Sequence, residues 1–167
     1  MAFFGRPYVC RAGEGEALWF FGGLTVVKAT GAETRGALTV AEFVSPPGFA
    51  PPLHRHRLED ELFYVLAGTA VFHCAGEILP AGPGDFALLP VGLAHTFVTG
   101  PGEPLRALQI TAPPGFERFA AAVGEPARER TLPPPGTTAT DPVTNPVALG
   151  HTAARHGIDI LGPPPPC

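Results

Sequence analysis

The sequence predicts an all-β fold, a sandwich or barrel of short strands, with short helices at its C-terminal end. Two observations carry this expectation. Short runs rich in β-branched, aromatic and other apolar residues follow one another from Leu18 to Thr111, each bounded by glycine or proline. Helical periodicity enters only after Pro113-Pro114-Gly115. Composition agrees. Gly (21) and Pro (22) make up about a quarter of the 167 residues, roughly twice the usual share. They follow no short period, which excludes a collagen-like chain. With 45% apolar residues, one domain of this length can bury a substantial core.

Residues 1–17 read as an extended N-terminal arm, and residues 18–112 as the β-domain. Within it, Leu24–Thr30 and Ala37–Val44 are strands, and Pro46-Pro47-Gly48 ends the second. Leu53–His56, Glu61–Leu66, Thr69–Cys74, Asp85–Leu89, Leu93–Val98 and Leu105–Thr111 continue the series. Turn signals at Gly68, Gly76, Gly82-Pro83-Gly84, Gly92 and Gly100-Pro101-Gly102 separate them. Residues 113–167 form a helical, Pro-rich extension packed on the strands. There Phe116, Phe119, Ala120 and Val123 fall at i, i+3, i+4 and i+7, one face of a short helix that Gly124 ends. Residues 125–146, rich in Pro and Thr, read as a linker or a meandering surface segment. Asn145 as cap and Pro146 at the first helical position start a second helix, and Gly157 stops it. Ile158, Ile160 and Leu161 then dock onto the strands, and Pro163–Pro166 make a stiff end.

The formal net charge is −4 and Lys28 is the single lysine, so neither a basic nucleic-acid footprint nor a polybasic membrane patch is present. The longest uncharged stretch, Phe86–Gly102, holds Pro90, Gly92, His95, Gly100 and Pro101 and is a poor membrane span. The first six residues lack a basic start followed by an apolar stretch. Cys10, Cys74 and Cys167 are too few and too scattered for a disulfide framework. The expectation is a soluble, reduced, cytoplasmic protein that binds neither nucleic acid nor membrane.

Chemistry concentrates at four residues. His54 and His56 are one residue apart, which on a strand puts both imidazoles on one face. Glu61 follows a polar break, Arg57-Leu58-Glu59-Asp60, and can return on the next strand facing them. His95 opens another strand after Pro90 and Gly92. Three imidazoles and a carboxylate suit a divalent transition metal. Arg55 and Arg57 fall on the opposite face from the histidines. Glu59 and Asp60 read as a solvated turn, with a role in orienting a histidine as the alternative. His73 lacks a partner motif, Cys74 reads as a core or edge residue, and His151 and His156 as surface residues on a helix.

Gly48-x5-His54-x-His56-x4-Glu61-x6-Gly68 resembles the first cupin motif at every defined position, and Gly84-x5-Pro90-x-Gly92-x2-His95 resembles the second. The second motif usually closes in Asn where this chain has Thr99. The resemblance implies a double-stranded β-helix, a jelly-roll barrel enclosing a cavity. Phe63 and Val65 share the face of Glu61 by alternation, and Phe97 shares that of His95. Phe43, Leu53, Phe72, Phe86 and Leu88 could add to an apolar substrate pocket, plain core packing being the competing reading for each.

Within the cupins, the run from His54 to Gly68, the Gly84-Asp85-Phe86 run, Pro113-Pro114-Gly115-Phe116-Glu117-Arg118-Phe119 and the segment from His156 to Pro164 resemble quercetin 2,3-dioxygenase-like single-cupin proteins. That resemblance implies one Ni, Co, Mn, Fe or Cu ion per subunit held by His54, His56, Glu61 and His95. It further implies Glu61 as catalytic base, and O2 and a flavonol-type enol or aromatic molecule as substrates. Homodimerisation through the arm or sheet edges is expected by the same analogy. Two other classes stay open: a metal-dependent isomerase, epimerase or lyase, and a non-catalytic cupin that binds a small ligand.

Overall fold

A computed structural model describes residues 7–134 and 146–164. Residues 1–6, residues 135–145 of the Pro/Thr-rich linker with the cap Asn145, and residues 165–167, including Cys167, lie outside the described residues.

The chain forms β1 (Glu16–Phe20), β2 (Gly23–Ala29), β3 (Thr39–Ser45), β4 (Leu53–His56), β5 (Asp60–Ala67), β6 (Ala70–Cys74), β7 (Glu77–Ala81), β8 (Phe86–Leu89), β9 (His95–Thr99) and β10 (Leu105–Ala112). Helix α1 (Phe116–Val123), β11 (Glu125–Pro126), α2 (Pro146–Arg155) and β12 (Ile158–Gly162) follow. All pairings are antiparallel and build two sheets, ordered β11-β1-β2-β3-β10-β5-β8 and β12-β4-β9-β6-β7. The expected jelly roll is what these sheets form. No helix among the described residues is long and apolar enough to cross a membrane.

Three elements differ from the sequence expectation. Glu16 and Ala17, assigned to the arm, pair with Val27 and Val26 as the start of β1. Glu77–Ala81 is an unexpected strand; its mostly exposed side chains give no alternation to read. The docking segment Ile158–Gly162 is itself a strand, paired with β4. The described start of the linker also has a fixed course: Leu18 and Trp19 pair with β11, and the Trp19 indole donates to the Thr131 carbonyl at 2.9 Å.

Between the sheets lies a core with Phe43, Phe63, Phe72 and Phe97 at its centre, ring centroids 5.2–5.8 Å apart. Beside it a second cluster joins Leu18 to Phe116, Phe119 and Ala120 of α1, Leu149 and Ala153 of α2, and Ile158 of β12. The C-terminal extension thus shares a core with the first strand. The exposed outer sheet face includes Phe86 and Leu88. They sit opposite Tyr64 and Leu62, whereas Ala87 and Leu89 face inward opposite Phe63 and Glu61.

Two turns show why particular residues stand where they do. Gly68 has φ +71°, and a Cβ there would meet the Pro104 carbonyl oxygen at 2.6 Å, so both conformation and space require glycine. At Thr99 the hydroxyl accepts from the Phe49 N–H at 2.8 Å and donates to the Pro46 carbonyl at 2.7 Å, tying the end of β9 to the turn before β4. Gly68→Ala is expected to destabilise the protein by about 1–3 kcal/mol. Urea unfolding should show a lower midpoint with an unchanged slope; an unchanged midpoint would remove the steric argument.

Candidate metal centre

His54 and His56 sit on β4 and His95 on β9, with His54 directly opposite His95 in the ladder. Glu61 comes from β5 in the other sheet and reaches across the interior. One donor atom from each of these four residues lies within 4.8 Å of all the others. Donors around a first-row ion stand roughly 3–4 Å apart, so the cluster is close to ligating geometry.

Each imidazole is oriented by its far nitrogen. His54 Nδ1 lies 2.8 Å from the Pro52 carbonyl and His95 Nδ1 2.9 Å from the Leu93 carbonyl. His56 Nδ1 lies 2.8 Å from a carboxylate oxygen of Glu59. A carbonyl accepts only, so His54 and His95 must carry their protons on Nδ1, and the Glu59 carboxylate sets the same tautomer for His56. All three Nε2 atoms are therefore left to the centre. His95 Nε2 is buried without a hydrogen-bond partner, its lone pair 3.1 Å from Glu61 Oε2. Two lone pairs at that distance repel unless a proton or a cation lies between them. A transition ion fits this donor set and removes the conflict.

The electrostatics follow from burial. Desolvation pushes His54 down to about 4, offset in part by the charge of Glu61. Burial opposes the charged form of His56 too, but the Glu61 charge and the hydrogen bond to Glu59 outweigh it and raise its pKa. For Glu61, burial alone would favour the neutral acid, yet His56 and His95 hold it well below the usual carboxylate range. Glu61 is thus a carboxylate at physiological pH. Gln109 Nε2 donates a short hydrogen bond to Glu61 Oε1, which leaves Oε2 as the oxygen aimed at the histidines.

The centre opens into an apolar cavity of about 60 Å³. Of the expected pocket residues, Phe43, Phe63 and Phe97 line it. Four others do not. Phe86 and Leu88 are 58% and 47% exposed on the outer sheet face, the side their register with Tyr64 and Leu62 dictates. Leu53 alternates with His54 and lies on the side of Arg55. Val65 faces inward but is fully buried in the closed core, as is Phe72. Much of the wall comes from outside the strands that carry the four-residue cluster: the end of β1 and the turn after it (Phe20, Phe21), α1 (Phe116, Phe119) and β12 (Ile158, Ile160).

Two further residues belong to the centre. Glu59, for which the sequence offered a solvated turn first and a histidine-orienting role as the alternative, is 4% exposed and fits the alternative. Gln109 is buried beside Glu61, and its signal was a polar residue in the inward series Leu105, Ala107, Gln109. Arg55 and Arg57 do point outward, where both pair with Asp159.

Residues 41–111 match the cupin domain family. The chain carries a cupin domain. It is 33% identical over 91 residues to quercetin 2,3-dioxygenase from Bacillus subtilis, across 54% of this chain and 27% of that protein. It is 39% identical over 51 residues to an oxalate-binding protein from Thermotoga maritima, across 30% of this chain and 42% of that one. The cupin therefore spans less than half the length of these curated relatives. Among solved structures, a predicted oxalate decarboxylase from Thermotoga maritima superposes with a TM-score of 0.56 at 26% identity, covering 63% of this chain and 98% of the other. A Streptomyces nucleoside dehydratase superposes with a TM-score of 0.54 at 19% identity, covering 65% and 83%, and shares the fold.

Two outcomes are expected of this cupin. His54→Ala and His95→Ala should each lower Co(II) occupancy after dialysis at least about tenfold, since each removes a donor from a four-donor set. Occupancy retained in both variants would reject the assignment. The second outcome concerns pH. The raised pKa of His56 lies above the ordinary imidazole value of 6.5, and metal must displace that proton. Co(II) affinity should therefore fall as the pH drops from about 8 to about 6, by up to about tenfold per unit. Titration calorimetry reads both the affinity and the released proton; constant affinity would contradict the role of His56.

Proposed function

We propose that this cupin is a metal-dependent dioxygenase that adds O2 to a small enol or aromatic substrate. The observation that carries the reading is a three-histidine, one-glutamate cluster opening directly into a phenylalanine-walled cavity. The apolar walls favour a flat, weakly charged substrate. Among the described residues no Arg or Lys lines the cavity, so a small dianion such as oxalate would find no cationic side chain from them. Similarity to the Bacillus subtilis quercetin 2,3-dioxygenase supports the same reaction class.

The residues divide the work. His54, His56, His95 and Glu61 would hold one transition ion, which when bound supplies Lewis-acid activation of a substrate oxygen and a route for electrons to O2. Glu61 Oε2 accepts the proton of the substrate hydroxyl, while Gln109 fixes the other carboxylate oxygen. The phenylalanine walls orient the ring system and exclude water from the resulting anion.

Cavity size favours a second reading beside the first. A volume of about 60 Å³ is well below the roughly 300–1,000 Å³ of small-molecule pockets, so a flavonol enters only if the aromatic wall opens. A smaller substrate, with Glu61 shuttling a proton in an isomerase or lyase, fits the closed form. An oxygen electrode separates the two. The dioxygenase reading expects one O2 consumed per enol turned over; turnover of a small substrate without O2 uptake would replace it with the lyase reading. Glu61→Gln should lower turnover at least about 100-fold beyond its loss of metal. Undiminished turnover in the metal-loaded variant would remove Glu61 as the base.

A further inference from the structure

Glu59 is a buried carboxylate outside the ligand set. One oxygen, Oε1, lies 2.8 Å from His56 Nδ1. The other, Oε2, lies against Gly115, where a Cβ would come within 2.7 Å of it. Gly115 is the residue that begins α1, and α1 contributes Phe116 and Phe119 to the cavity wall. A single carboxylate therefore touches a metal-ligating histidine at one end and the start of the wall helix at the other.

We propose that Glu59 is a positioning residue that couples the ligand His56 to helix α1, and that residue 115 is glycine because any side chain there would displace it. An anionic acceptor on Nδ1–H fixes the tautomer and ring plane of His56 and strengthens Nε2 as a donor. The same negative charge stands at the N-terminal end of α1, where the helix dipole favours it. Moving the wall helix and moving His56 are therefore linked through two oxygens of one side chain. This role rests on the metal centre and not on the reaction, so it holds whether the enzyme is an oxygenase or a lyase.

Cobalt binding tests it without turnover. Wild type, Glu59→Ala, Glu59→Gln and Gly115→Ala are titrated with Co(II), reading affinity and the visible d–d spectrum, and hydrogen exchange is followed in α1. Glu59→Ala should weaken Co(II) binding about 10–100-fold, shift the spectrum and speed exchange in α1. Glu59→Gln, which can still accept from Nδ1–H, should fall between Ala and wild type. Gly115→Ala should shift the spectrum although residue 115 contributes no ligand, and it decides the matter if Glu59→Ala does not fold. Wild-type affinity and spectrum in Glu59→Ala, or a wild-type spectrum in Gly115→Ala, would overturn the proposal.

Discussion

Three imidazole nitrogens and a carboxylate oxygen aim their lone pairs at one point inside the barrel, shielded from water. That unscreened repulsion is the constraint around which the rest is arranged. The tautomers cannot relax it, because each Nδ1 proton is committed to Pro52, Leu93 or Glu59. Glu61 cannot swing away, because Gln109 holds its other oxygen. A proton between His95 Nε2 and Glu61 Oε2 would relieve the conflict in part. A cation relieves it fully and at the same time bridges the two sheets, since Glu61 belongs to one and the histidines to the other.

The centre and the cavity have different origins in the chain. All four residues of the His/Glu cluster lie within the cupin match at residues 41–111. Seven wall residues do not: Phe20, Phe21 and Thr25 precede it, and Phe116, Phe119, Ile158 and Ile160 follow it. The extension also props the centre. Strand β4 has four residues and meets β9 through one register pair, His54 and His95. Its other edge is held by β12, with Ile158 opposite His56 and Ile160 opposite His54. Cavity shape is thus set in large part by segments outside the ligand motif, so a shared motif does not carry a substrate from one relative to another.

How much of this was legible follows from local signals. His54, His56, Glu61 and His95 could be read because their spacing and the flanking glycines are local features. Strand spans were legible from apolar runs bounded by turns, and α1 from its period. Facing was legible only where alternation is clean. Phe63 and Phe97 follow from the parity of Glu61 and His95. Phe86-Ala87-Leu88-Leu89 is apolar on both faces, so its parity is set by pairing with β5 and not by pattern. Glu59 looked solvated because it sits in a charged turn; it is buried, with Gly115, more than fifty residues later, lying against it. β7 and β12 lacked a pattern because one is largely exposed and the other is defined by its partner β4.

The interior of this barrel is arranged so that it could hold one metal ion. Metal content per chain, by mass spectrometry on untagged protein purified without chelator, tests it most directly. About one Fe, Mn, Co, Ni or Cu per chain is the expected result. Protein that is empty as purified, and stays empty after incubation with each of those ions, would contradict the account.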